Sequence, residues 1–138
     1  NAEGSRLVNI SGRAQVGVGA DILIPGFVVD GDENKQYLIR AVGPTLDSFG
    51  VTGALANPTL TLFQGNTEIA VNDDWQQASN VAELVAASSQ VGAFALEDGS
   101  ADAAALVTLE TGAYTIQVSG VGNTSGVALV EIYEVVQP

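Results

Sequence analysis

Histidine, cysteine and methionine are all missing from this 138-residue chain, and only Arg6, Arg13, Lys35 and Arg40 carry positive charge. Without cysteine no disulfide can close a loop, and no thiolate can act as nucleophile or metal ligand. Without histidine the commonest general base is gone, and with it the Ser–His and Cys–His arrangements and the usual zinc sites. The one lysine falls in a predicted strand. A glycosidase needs only two carboxyl groups at a set separation. Yet the large aromatics with polar handles that would line a sugar cleft are just Tyr37, Trp75, Tyr114 and Tyr133, and Tyr114 reads as core. Catalysis is not expected.

No apolar run approaches the roughly 20 residues of a membrane-spanning helix. Sixteen acidic side chains against four basic ones give a net charge of -12, so nucleic acid and anionic membrane surfaces would be repelled. The acidity serves solubility, or the binding of a divalent cation. With 16 glycines, 14% charged residues and frequent Val and Thr, the composition is that of short strands and tight turns. The length fits one domain, residues 1–138. A start at Asn1 followed by small, polar residues is expected of a processed product or an excised module.

Alternating apolar runs set out about eight strands. Residues 6–16 form the first, with Val8 and Ile10 on one face and Gly12 a predicted bulge. Residues 20–29 form the second, broken by Pro25, which belongs at a sheet edge. Residues 35–42 form the third, in which Arg40 interrupts an apolar run and, if buried, needs a carboxylate partner. Residues 45–49 suggest one helical turn. Residues 58–74 read as a hairpin across Gly65-Asn66, setting Leu60 and Leu62 against Ile69 and Val71. Asn80 with Glu83 starts a helix of about nine residues, with Val81, Leu84 and Val85 as its apolar stripe. Residues 101–108 form a strand whose alanines admit a close neighbour. The chain ends in a predicted hairpin, residues 112–136: Tyr114, Ile116 and Val118 share one face of its first arm, Ala128, Val130 and Ile132 one face of its second, and Glu131 and Glu134 mark positions open to water. Together these elements imply an all-β fold, a two-sheet antiparallel β-sandwich of jelly-roll type with one short helix.

Hard oxygen ligands are the chemistry on offer. Asn72, Asp73 and Asp74 end one strand, and Glu97, Asp98 and Asp102 lie in a later loop. If the two loops converge they present the carboxylate oxygens that Ca²⁺ takes, so Asn72, Asp73, Asp74, Asp98 and Asp102 are the candidate metal ligands. Trp75 follows the acidic pair directly and is the candidate ligand-binding residue, a sugar platform or a plug beneath a loop. Gly17 and Gly19 belong to a turn, since a dinucleotide loop needs a third glycine where Ile22 stands.

LTLFQGNTEIAVNDDW and LETGAYTIQVSGVGNTSGVALVEIYE, within Pro58–Tyr133, resemble the bacterial pre-peptidase C-terminal type of β-sandwich, in which a strand ending in an acidic loop is followed by a "G-x-Y" strand and a closing "TSG" strand. The resemblance implies a secreted accessory module without catalysis, acidic and in some members calcium-binding. The helix at Asn80 and the extra front strands depart from that pattern. The front half, SRLVNISGRAQVGVGADILIPGFVV with YLIRAVGPTL, looks like repeat modules of large bacterial surface proteins. Two functions are therefore expected of an extracellular or cell-surface protein. The favoured one is a structural subunit that self-assembles into a filament or surface layer, with residues 1–13 as an exchanged strand and Arg6, Leu7, Val8 and Ile10 as its assembly contacts. The other is a calcium-dependent module that grips polysaccharide or protein through loops near Asp73, Trp75 and Asp98.

Overall fold

A computed structural model describes residues 9–19, 22–31 and 34–135. Eight strands run in chain order: β1 (Asn9–Val16), β2 (Gly26–Val29), β3 (Lys35–Val42), β4 (Pro58–Gln64), β5 (Thr67–Asn72), β6 (Ala103–Leu109), β7 (Gly112–Gly120) and β8 (Gly126–Val135). They form two four-stranded antiparallel sheets, β1-β8-β3-β6 and β2-β7-β4-β5. Among the described residues one helix, α1 (Val81–Gln90), and short 3-10 turns at Pro44–Phe49 and Trp75–Gln77 accompany the strands. Among the described residues no helix is long and apolar enough to cross a membrane.

The predicted sandwich is present, but its chain path is not that of successive hairpins. Only β4 and β5 are both consecutive and paired; every other connection passes from one sheet to the other. The C-terminal hairpin expected over residues 112–136 is therefore an arch: β7 pairs with β2 and β4, and β8 with β1 and β3. Alternation fixes which side chains share a core, and Tyr114, Ile116 and Val118 do share one with Ala128, Val130 and Ile132. It cannot say whether two such strands lie side by side or face to face. Close packing at the loop favours the arch, because a Cβ on Gly126 would lie 2.7 Å from the backbone of Leu55, leaving room there only for glycine.

The sheets differ in what covers their outer faces. α1 and the segment after it lie over β1-β8-β3-β6, and a second core forms between them from Leu38, Leu84, Ala87, Ala104, Leu106 and Tyr133, among others. Strands β3 and β6 are consequently buried on both faces and read as nearly continuous apolar runs. In β2-β7-β4-β5 the central strands β4 and β7 alternate between buried and half-exposed side chains, the pattern of a sheet with one face toward water. The period of β3, β6, β4 and β7 thus records whether one or both faces of the strand are covered.

Five local expectations need correction. Gly12 is no bulge: it pairs in register with Val130. A bulge instead falls between Leu62 and Phe63, so that Leu62 faces Ala70 and Leu60 faces Asn72; Ile69 and Val71 are exposed rather than opposed to the two leucines. Glu131 and Glu134 are buried, because β8 is an inner strand under the helix-bearing layer. In α1 the inward stripe passes through Leu84 and Ala87, leaving Val85 exposed. Asn80 precedes the helix as expected, but its amide donates to the Leu106 carbonyl at 3.1 Å instead of capping.

Candidate functional site

The two acidic loops do meet. The Trp75 N–H donates to the Asp102 carbonyl at 2.9 Å, and the Asn72 side chain accepts from the Ala104 N–H at 3.0 Å while donating to the Asp74 carbonyl at 3.0 Å. Gln76 spans the same gap, donating to Asp98 and accepting from the Gly99 N–H. What joins the loops is a lattice of hydrogen bonds, with Asp102 at its centre.

Asp102 immediately precedes β6 and is fully buried. Its Oδ1 accepts from the Gly43 N–H at 2.7 Å and the Thr45 N–H at 3.2 Å; its Oδ2 accepts from the hydroxyls of Thr45 and Ser100. Those hydroxyls are themselves acceptors, Thr45 from the Glu97 N–H at 3.0 Å and Ser100 from the Trp75 indole N–H at 3.2 Å. A buried carboxylate is tolerated only with its lone pairs engaged, and here one carboxylate orients the 3-10 turn after β3, the Trp75 turn and the loop before β6. Gly43 permits the approach: a Cβ there would lie 2.1 Å from the Leu55 carbonyl oxygen.

Of the other candidate metal ligands, Asp73 and Asp98 are exposed and Asp74 half-buried. Among the described residues no three acidic side chains are grouped as a metal ion would require. Of the candidate assembly residues, Arg6, Leu7 and Val8 lie outside the described residues, as does the side chain of Ile10. The Ile10 backbone pairs with Ile132 in β1, so residues 9–13 of the expected exchanged strand occupy the edge of their own sheet.

Trp75 is 8% exposed. It forms the floor of a groove of about 400 Å³ between α1 and residues 93–98, walled by Leu84, Val85, Ser88 and Leu96 with Asp98 at the rim. The indole is not a flat outward platform of the kind that stacks on a sugar. It is buried at the bottom of an apolar slot, with Ser88 and Ser89 on one wall and the Asp98 carboxylate at the mouth.

Beside this groove a buried ion pair fastens its outer wall. Arg40, the charge that interrupts β3, is fully buried and donates through Nε to Glu131 at 2.8 Å. Its Nη1 donates to the Phe94 carbonyl at 2.7 Å, and the Phe94 ring lies 4.6 Å from the guanidinium carbon. Phe94 in turn packs edge-on against Phe49, with centroids 4.9 Å apart. The second Glu131 oxygen accepts from the Tyr133 hydroxyl at 2.6 Å. Burial, this hydrogen bond and the Glu131 charge together push the Tyr133 phenol up from 10.0 to about 12, with Arg40 opposing. The carboxylate that Arg40 required is thus Glu131, its cross-strand neighbour in the β3–β8 ladder.

Sequence reasoning located Trp75 and Asp98 but missed the groove walls and the Thr45–Ser100–Asp102 network. The walls come from a helix face and a loop without period. The network joins residues more than fifty positions apart, for which a single sequence offers no spacing rule.

The architecture just described is that of a pre-peptidase C-terminal-like β-sandwich. It is similar to the crystal structure of the pre-peptidase C-terminal domain of collagenase from Bacillus anthracis, with a TM-score of 0.53 and 13% identity, over 91% of this chain and 89% of that one. No family model and no curated protein matches the chain. The likeness establishes the fold, and it extends the resemblance beyond the second half: β1, β2 and β3, which the sequence set apart, belong to the same sandwich.

Proposed function

We propose that this chain is a non-catalytic, extracellular accessory module that binds a partner polypeptide in the Trp75 groove. The groove carries the reading: an apolar slot held open between α1 and residues 93–98, on a platform fixed by buried Asp102 and Arg40. A buried aromatic floor with a polar rim is the form of site that accepts an apolar anchor side chain. Asp98 at the mouth and the net charge of -12 select an anchor flanked by Lys or Arg. The likeness to a domain of a collagenase supports an accessory role in a larger extracellular protein. Selection of displayed peptides against the folded chain tests the proposal: basic-apolar peptides that perturb Trp75 emission support it, and an empty selection removes it.

A structural-subunit reading rests on the edge of β1, which pairs with β8 on one side only. Deleting residues 1–8 leaves β1 itself in place. Assemblies lost on that deletion favour strand exchange through the front segment, and assemblies unchanged by it count against exchange.

A further inference from the structure

We propose that the outer face of the sheet β2-β7-β4-β5 is a self-association surface that seats a second copy of this chain, face to face. While α1 and its following segment cover the other sheet, none of the described residues covers this one. Four of the exposed large aliphatics lie along its two edges: Ile24 and Val28, 51% and 66% exposed, beside and in β2, and Ile69 and Val71, 40% and 56% exposed, in β5. Between them β4 and β7 contribute Thr61 and Gln117, paired across the ladder, and the half-buried Phe63. Of all the residues in these four strands only Glu68 is charged.

Charge decides the occupant. A basic partner would be drawn to the carboxylate-rich surfaces, away from a strip that offers it almost none. Two copies of a chain of net charge -12 repel each other elsewhere and can approach only where charge is missing. The placement of the aliphatics is also self-complementary. A two-fold axis parallel to the strands lays β2 of one copy over β5 of the other, so Ile24 and Val28 meet Ile69 and Val71 twice. The arrangement repeats outside the molecule the stacking of sheets, about 10 Å apart, that forms its interior. Four strands about 4.8 Å apart and some seven residues long give a footprint of about 450 Å² per partner. A standard interface buries about 800 Å² per partner, so the pair belongs to the weak, exchanging class. The surface is on the opposite side of the sandwich from the Trp75 groove, so either site can exist without the other.

Sedimentation velocity on the full chain, at protein concentrations up to about 1 mM and at low and high NaCl, tests the proposal. A dimer is expected whose population rises with concentration and also with salt, since screening removes the repulsion between the copies. Val28→Asp and Val71→Asp should each weaken it at least about tenfold, while Val85→Asp, in the groove, leaves it unchanged. A monomer under every condition overturns the proposal. So does a dimer that survives both aspartates with their melting temperatures intact, or one that is lost on deleting residues 1–8.

Discussion

Replacing Asp102 tests whether one buried carboxylate holds the groove platform together. In Asp102→Ala the Gly43 and Thr45 N–H groups and the Thr45 and Ser100 hydroxyls lose their acceptor together. An unsatisfied buried donor costs about 1–3 kcal/mol. Relaxation and entering water reduce the sum, so a loss of about 4 kcal/mol is expected, a large part of the total stability of a small domain. Asp102→Asn preserves shape but sets an amide NH₂ against one pair of donors. The hydroxyls are already held as acceptors by the Glu97 and Trp75 N–H groups, so they can accept from the new amide only by leaving their own protons unpaired, and about 2 kcal/mol is expected. Urea unfolding followed by the emission of Trp75, the one tryptophan, reads both variants: the midpoint should fall with an unchanged slope. An alanine variant within about 1 kcal/mol of the parent would refute the assignment of Asp102 as the hub.

Arg40→Met strands the Glu131 carboxylate and should cost about 3–5 kcal/mol, whereas Arg40→Met with Glu131→Gln should cost clearly less than the sum of the single changes, measured by a double-mutant denaturation cycle. The raised Tyr133 phenol disfavours its ionised form in the folded state, so its contribution is fully present below pH 10.0 and is lost as pH rises through about 12; Tyr114, raised by burial and Glu110, adds with the same sign. Melting temperatures over this range should fall less steeply in Tyr133→Phe. Gly43→Ala should prevent soluble folding, because its Cβ meets a backbone carbonyl, while Gly12→Ala, with nothing within 4 Å, should leave the melting temperature unchanged. With Asp102 and Asn72 already engaged by protein donors, isothermal titration with calcium alone should show no heat at these loops; heat abolished by Asp98→Asn would return the metal to the site.

Most of the fold was legible because strand period and burial are coupled. The bounds of β3 and the β4–β5 turn followed from alternation and turn residues, and Arg40 announced its need for a carboxylate. Pairing was not legible: β7 and β8 have the alternation of a hairpin yet belong to different sheets, since period fixes a face and leaves the neighbour open. Glu131 and Glu134 were misjudged because a charged residue in a strand marks solvent only where no second layer covers it. The Trp75 floor and the Asp98 rim lie in a legible stretch, but the slot between them depends on where α1 comes to rest.

Binding in the Trp75 groove is tested most directly by peptide-display selection on the folded chain, with Val85→Asp as the counter-target. The predicted result is a family of peptides with an apolar anchor beside Lys or Arg that shift Trp75 emission, bind the parent and lose binding to both Val85→Asp and Asp98→Lys. Peptides that bind parent and variants alike, or none at all, would contradict it.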